Sequence, residues 1–155
     1  MNTVADEIKI FSEVELFRGL TPEQMARLAT IARREVYHTG ETVFLQETPG
    51  DSMYIVKQGQ VEVRIDNEEG ESYPAVYLGR GQVFGEMALV DQGTRSATVI
   101  AVEAETEVYA IPGNQFTSLC ENDTAIGYIL MRNMAQDMSF KLRHRHLDHS
   151  EDQEG

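Results

Sequence analysis

Apolar positions change their period twice along the chain, and each change marks a change of structure. Up to about residue 34 they recur at helical spacing, with Leu20, Met25, Leu28, Ala29 and Ile31 on one face. Ser12-Glu13-Val14-Glu15 and Thr21-Pro22-Glu23-Gln24 both fit the capping-box pattern that opens a helix, and Pro22 stands at the favoured first helical position. From Glu35 to Ile111 the pattern turns to short β-type runs: 42–45 (TVFL), 53–57 (MYIVK), 60–66 (QVEVRID), 74–78 (PAVYL), 96–102 (SATVIAV) and 106–111 (TEVYAI). Gly, Pro, Asn and Asp punctuate them at roughly ten-residue intervals, the signature of a sandwich or barrel. Residues 67–71 (NEEGE) read as an exposed hairpin tip. After Pro112-Gly113 the helical period returns in a short helix near Gln115–Cys120. A long helix follows, capped near Asn122 or Asp123 and running to about His146.

Along that helix Ile126, Leu130, Met134, Met138 and Leu142 recur every four residues, with Ile129 and Phe140 alongside. The row predicts packing on the chain's own β-layer, a seam between two copies, or one near its start and the other near its end. The segment 150–155 (SEDQEG) has no apolar side chain and reads as a disordered tail. No internal repeat or dividing linker interrupts the chain. Residues 1–149 are therefore expected to form one domain, α+β but mainly β, with helices before the β-layer (about 35–111) and after it (about 113–146).

The chemistry is concentrated in residues 84–99 (FGEMALVDQGTRSATV). Gly85 lets the backbone approach a ligand with no Cβ in the way. A short helical turn over Glu86–Leu89 would aim free N–H groups and a positive dipole end at an anion. Arg95 offers a planar, permanently charged donor fork suited to phosphate. Glu86 cannot bind phosphate, and a carboxylate there is suited to accept hydrogen bonds from a sugar hydroxyl. Together these residues predict a site for one phosphate and one ribose. Taken alone, however, a glycine followed by an acid and a distant arginine favours a bland alternative, a structural turn with a weak surface ion pair.

This segment resembles the phosphate-binding cassette of the cyclic nucleotide-binding domain family. Phe84, Gly85, Glu86, Met87, Ala88 and Leu89, then Arg95, Ser96, Ala97 and Thr98, fall on its pattern, while Thr94 stands where many relatives have proline. The likeness extends upstream through 39–65, with glycines at Gly40, Gly50 and Gly59. It implies an antiparallel β-roll, of the double-stranded β-helix or jelly-roll type, flanked by N-terminal helices and a long C-terminal helix. It also implies a ligand site at Phe84, Gly85, Glu86, Met87, Ala88, Arg95, Ser96 and Ala97. In such proteins the arginine and nearby backbone donors hold the cyclic phosphate, the glutamate holds the ribose 2′-hydroxyl, and the C-terminal helix closes towards the base. One of Arg143, Arg145 or His146 is the residue expected over that base.

Composition removes several other functions. A net charge of −13, from 13 basic and 26 acidic residues, repels nucleic acid and anionic membranes at long range. It repels a phosphate ligand as well, so binding has to come from local groups in a shielded pocket. No apolar run is long enough to span a membrane and the N-terminus does not look like a signal peptide, which with the lone Cys120 points to a cytoplasmic protein. Cys120 reads as a partly buried helix residue and no nucleophile. His144, His146 and His149 lack the helical spacing of a metal site, and His38 is the only histidine before them, so a metal-dependent enzyme on a related β-fold lacks its ligands.

The expected function is that of a non-catalytic cyclic nucleotide sensor with no metal or cofactor. Its ligand is cAMP or cGMP, with cAMP favoured by family analogy. Expected partners are a second copy through the long helix and an effector protein. Two alternatives stand beside it: the regulatory piece of a larger transcription regulator or signalling enzyme, and a domain with this fold that binds only protein.

Overall fold

The computed structural model describes residues 4–91 and 93–154, with side chains to His144. Helix α1 (Val4–Phe11) buries Ile10 and Phe11; a 3-10 turn (Glu15–Phe17) buries Leu16 and Phe17; α2 (Pro22–Ala29) buries Met25, Leu28 and Ala29. The Thr21 capping box forms as expected. The Thr21 hydroxyl accepts from the Gln24 N–H at 3.2 Å, and Gln24 Oε1 accepts from the Thr21 N–H at 2.9 Å. The Ser12 box does not form. Ser12 instead donates its hydroxyl to the Lys9 carbonyl at the end of α1, and the 3-10 turn has no side-chain cap. Only three residues of helix follow before Arg18-Gly19, and Gly19 takes φ +91°, so no α-helical turn is available for the box to cap.

Among the described residues, eight strands form two four-stranded antiparallel sheets. One has the order β1 (Arg33–Tyr37), β8 (Thr106–Pro112), β3 (Ser52–Gln58), β6 (Val83–Phe84). The other has the order β2 (Thr42–Phe44), β7 (Thr98–Ala101), β4 (Val61–Asp66), β5 (Ser72–Leu78). Residues 67–71 join β4 to β5 as the expected hairpin tip. Strands β3 and β8 are covered on both faces, which explains their uninterrupted apolar runs. Tyr54, Val56, Val108 and Ala110 point between the sheets, where Val61, Phe84 and Val99 meet them. Met53, Ile55, Tyr109 and Ile111 point the other way into a second core built with the helices. Strands β1 and β6 lack a sequence signal of their own. The first lies at a sheet edge with mostly exposed side chains, and the second has only two residues.

Helix α4 (Gly113–Asn122) contributes Phe116 to the helical core, and α5 (Thr124–Glu154) contributes Ile126, Leu130 and Met134. These three are essentially inaccessible within one chain, so they are not available for a seam between copies. A step of four residues overshoots a helical turn by about 40°. The row therefore starts inward at Ile126 and rotates out to Leu142, which is 67% exposed. Helix α5 also continues to Glu154, past the end expected near His146 and through most of the expected tail, with no Gly or Pro before Gly155 to stop it. Asn133, fully buried on α5, donates its side-chain amide to the carbonyls of Leu16 (2.8 Å) and Arg18 (2.9 Å), fixing the 3-10 turn to the helix.

Candidate functional site

The cassette begins where β6 leaves the first sheet. Gly85 turns the chain with φ +77°, a conformation that side-chain-bearing residues rarely adopt. The space is also closed to anything larger: a Cβ at Gly85 would lie 2.6 Å from Arg95 Nη1 and 3.2 Å from the Ser52 carbonyl. Gly50 is similarly confined, since a Cβ there would lie 2.4 Å from that of Ala88. After Glu86 comes the five-residue helix α3 (Met87–Asp91), close to the expected turn. The returning arm is tied to the loop before β3. The Arg95 N–H donates to the Thr48 carbonyl and the Glu47 N–H to the Arg95 carbonyl, both at 2.8 Å, and Thr94 forms a single bridge with Pro49. Thr98 is used internally, its hydroxyl accepting from the Gln46 N–H at 2.9 Å.

Arg95 is only 4% exposed. Its guanidinium lies 4.0 Å from the centroid of the Phe44 ring, donating from Nη1 to the Gly85 carbonyl (3.1 Å) and from Nη2 to the Ser52 carbonyl (2.7 Å). Nε is buried with no hydrogen-bond partner among the described residues. The nearest carboxylate oxygen, on Asp51, is 3.9 Å away on a side chain that is 91% exposed. Burial pulls the guanidinium pKa below its ordinary value, opposed by Tyr54, Asp51 and Glu86. The group remains a cation, because arginine does not deprotonate in proteins. It is therefore a buried positive charge compensated mainly by carbonyl dipoles.

All eight expected site residues, Phe84–Ala88 and Arg95–Ala97, line one cavity of about 240 Å³. Phe84, Ala88, Arg95 and Ala97 are buried in its wall, while Met87 and Ser96 are exposed at its margin. The floor is apolar, from Phe44, Val63 and Val76. A second cavity of about 680 Å³ lies between the β-roll, the 3-10 turn and α5, and shares Leu78, Val83, Glu86, Met87 and Lys141 with the first. The two are neighbouring parts of one hollow beside α5, with Glu86 and Lys141 in the wall of both. The Glu86 carboxylate receives the Lys141 ammonium at 3.5 Å.

The α5 residues that reach this hollow are Met134, Asp137, Met138, Lys141 and Leu142. Arg143, expected there, is exposed and does not line it. The side chains of Arg145, His146 and His149 lie outside the described residues. His144 stacks on Phe140 at 3.7 Å, with Nδ1 2.9 Å from the Phe140 carbonyl. Lys141 was legible in principle, because positions 134, 137, 138 and 141 share one helical face. Cys120 is half-buried, and burial, then Asp123 and Glu121, push its thiol pKa up, away from nucleophilic use. No described helix is long and apolar enough to cross a membrane.

Residues 34–123 match the sequence profile of the cyclic nucleotide-binding domain. The chain is 32% identical over 133 residues to the cyclic AMP receptor protein of Thermus thermophilus, covering 86% of this chain and 59% of that protein. It is 31% identical to the cGMP-dependent protein kinase egl-4 of Caenorhabditis briggsae over 72% of this chain and 15% of the kinase. The crystal structure of the Thermus thermophilus catabolite activator protein matches with a TM-score of 0.79 at 31% identity, over 88% of this chain and 62% of the other. The chain thus spans about three fifths of the length of the receptor and a much smaller share of the kinase.

Proposed function

Because this chain belongs to the cyclic nucleotide-binding domain family, we propose that it is a cyclic nucleotide sensor whose ligand lies in the hollow between the β-roll and α5. The observation that carries this reading is Arg95, a buried cation in a cavity wall whose one carboxylate within ion-pair distance, among the described residues, is the exposed Asp51. A singly charged cyclic phosphate supplies the missing charge, in a place where water is largely excluded and the interaction is strengthened. Glu86, on the same wall, accepts the ribose 2′-hydroxyl, and the larger cavity receives the base beside Met134 and Met138. Backbone donors near Ala88 and Ser96–Ala97 complete the phosphate cradle.

Binding shifts α5 between open and closed positions, and no covalent chemistry takes place on this domain. The domain comprises the β-roll together with the helices that share its core, and acts in the cytoplasm on a further effector. A contact between two copies would use the exposed stripe of Tyr128, Met131 and Leu142, since Ile126, Leu130 and Met134 are already packed inside the chain. Relatives named for cAMP and for cGMP both match at similar identity, and the exposed Ser96 hydroxyl is suited to either ligand. The analogy with bacterial receptors favours cAMP. Calorimetric titration with cAMP and with cGMP tests the reading: saturable one-to-one binding of either supports it, and heat from neither at millimolar ligand removes it.

A further inference from the structure

The junction of the two cavities contains an ion pair that the ligand has to contend with. In the wall of the larger cavity, the charged groups other than Lys141 and Glu86 mostly have partners elsewhere. Arg80 donates to Glu13 at 3.0 Å, and Asp137 pairs with Arg18 at 3.3 Å. Lys141 reaches from α5 to Glu86 Oε1 at 3.5 Å, and both residues line both cavities. Its side chain is 69% exposed while that of Glu86 is 20% exposed. The pair therefore joins a solvated cation to a partly sheltered carboxylate that follows the turn at Gly85.

We propose that Lys141 is a displaceable latch on Glu86 that sets the selectivity of the site for ribose over 2′-deoxyribose. This rests on the assignment of Glu86 to the ribose 2′-hydroxyl. With no nucleotide bound, the ammonium occupies the carboxylate and ties α5 to the cassette. A ribonucleotide gains a hydrogen bond to Glu86 and displaces the ammonium. A 2′-deoxynucleotide makes no such bond and leaves the ion pair in place. Lys141 therefore opposes binding of the ribonucleotide alone. Partial exposure keeps the opposition small, because solvated ion pairs are weak and screened by salt.

The test uses the full chain, the single variant Lys141→Met, and four ligands: cAMP, cGMP and their 2′-deoxy analogues. The expected result is an increase of about two- to fivefold in ribonucleotide affinity with no change for the deoxy analogues. The ratio of the two affinities then rises by the same factor. Lower affinity for any ligand, which would make Lys141 a direct ligand contact, overturns the proposal. So does an equal change for both sugar types, or no change for either. Because Lys141 is exposed, the variant should keep its fold, and circular dichroism with a thermal melt checks this. Lys141→Gln, measured in parallel, should reproduce the change in ratio, and a failure to do so also overturns the latch. A wild-type protein that binds ribo- and deoxynucleotides equally well refutes the Glu86 assignment itself. A wild type that prefers ribose with an unchanged ratio in both variants refutes the latch alone.

Discussion

Replacing Arg95 with alanine removes two interactions of different size, and the structure separates them. Within the protein, the variant loses the donors to the Gly85 and Ser52 carbonyls and the stack on Phe44. Leaving buried acceptors unpaired costs about 1–3 kcal/mol. Here the lower end applies, because Gly85 and Arg95 itself line the small cavity, and water can enter the space the side chain leaves. Removing a buried, undercompensated charge also recovers part of its desolvation. The net loss of stability is about 1 kcal/mol, a fall of about 2–4 °C in Tm. The loss of binding is larger. A charge-assisted contact to phosphate is worth about 1.5–3 kcal/mol, which corresponds to a roughly ten- to hundredfold weaker Kd. Calorimetry well below the midpoint of the thermal melt measures the second effect on fully folded protein. A variant that melts within a few degrees of wild type yet binds within about threefold of it would refute the phosphate assignment.

Three further outcomes are expected. Glu86→Gln should weaken cyclic ribonucleotides several-fold and leave 2′-deoxy analogues nearly unaffected, whereas equal losses would mean that Glu86 only organises the cassette backbone. Leu130→Ala should cost about 2–5 kcal/mol, as for other fully buried leucines, with unchanged sedimentation of the folded protein; a change of assembly without loss of stability would place Leu130 between copies. Alkylation of Cys120 by iodoacetamide at pH 8 should be slower than that of free cysteine and should keep rising at higher pH, with denaturant abolishing the difference, because burial raises the thiol pKa. A rate equal to that of free cysteine in the folded protein would contradict the burial.

The cassette could be read from the sequence because its parts are chemically unusual and adjacent. A glycine forced to positive φ, an acid beside it and an arginine that closes against both leave little freedom in residue type. Strands β3 and β8 were legible because burial on both faces makes them continuous apolar runs, whereas β1 and β6 are an edge and a fragment with no such demand. The inward turn of Arg95 was not legible, since its partners are carbonyls of Gly85 and of distant Ser52, and any residue carries a carbonyl. The helix residue facing the base side was also hidden. The rotation of α5 is decided by which side of Ile126 and Leu130 meets the core, and a row of apolar residues at every fourth position is consistent with several rotations.

Asn133 gives α5 a fulcrum. Its amide holds the 3-10 turn from inside the core, so the helix before it cannot swing without breaking one buried and one part-buried hydrogen bond. The segment beyond it is a lever arm held, past Met134, by the polar contacts of Gln136 and Asp137 with Arg18 and of Lys141 with Glu86. From Asn133 to Lys141 that arm is about 12 Å long at helical rise, and a bend of about 10° at the fulcrum carries the far end about 2 Å. Such a displacement is enough to part the Lys141 ammonium from Glu86, with Ile126 and Leu130 left in place. A message sent through this helix is therefore carried by its outer half, and the hydrophobic core need not be repacked to send it.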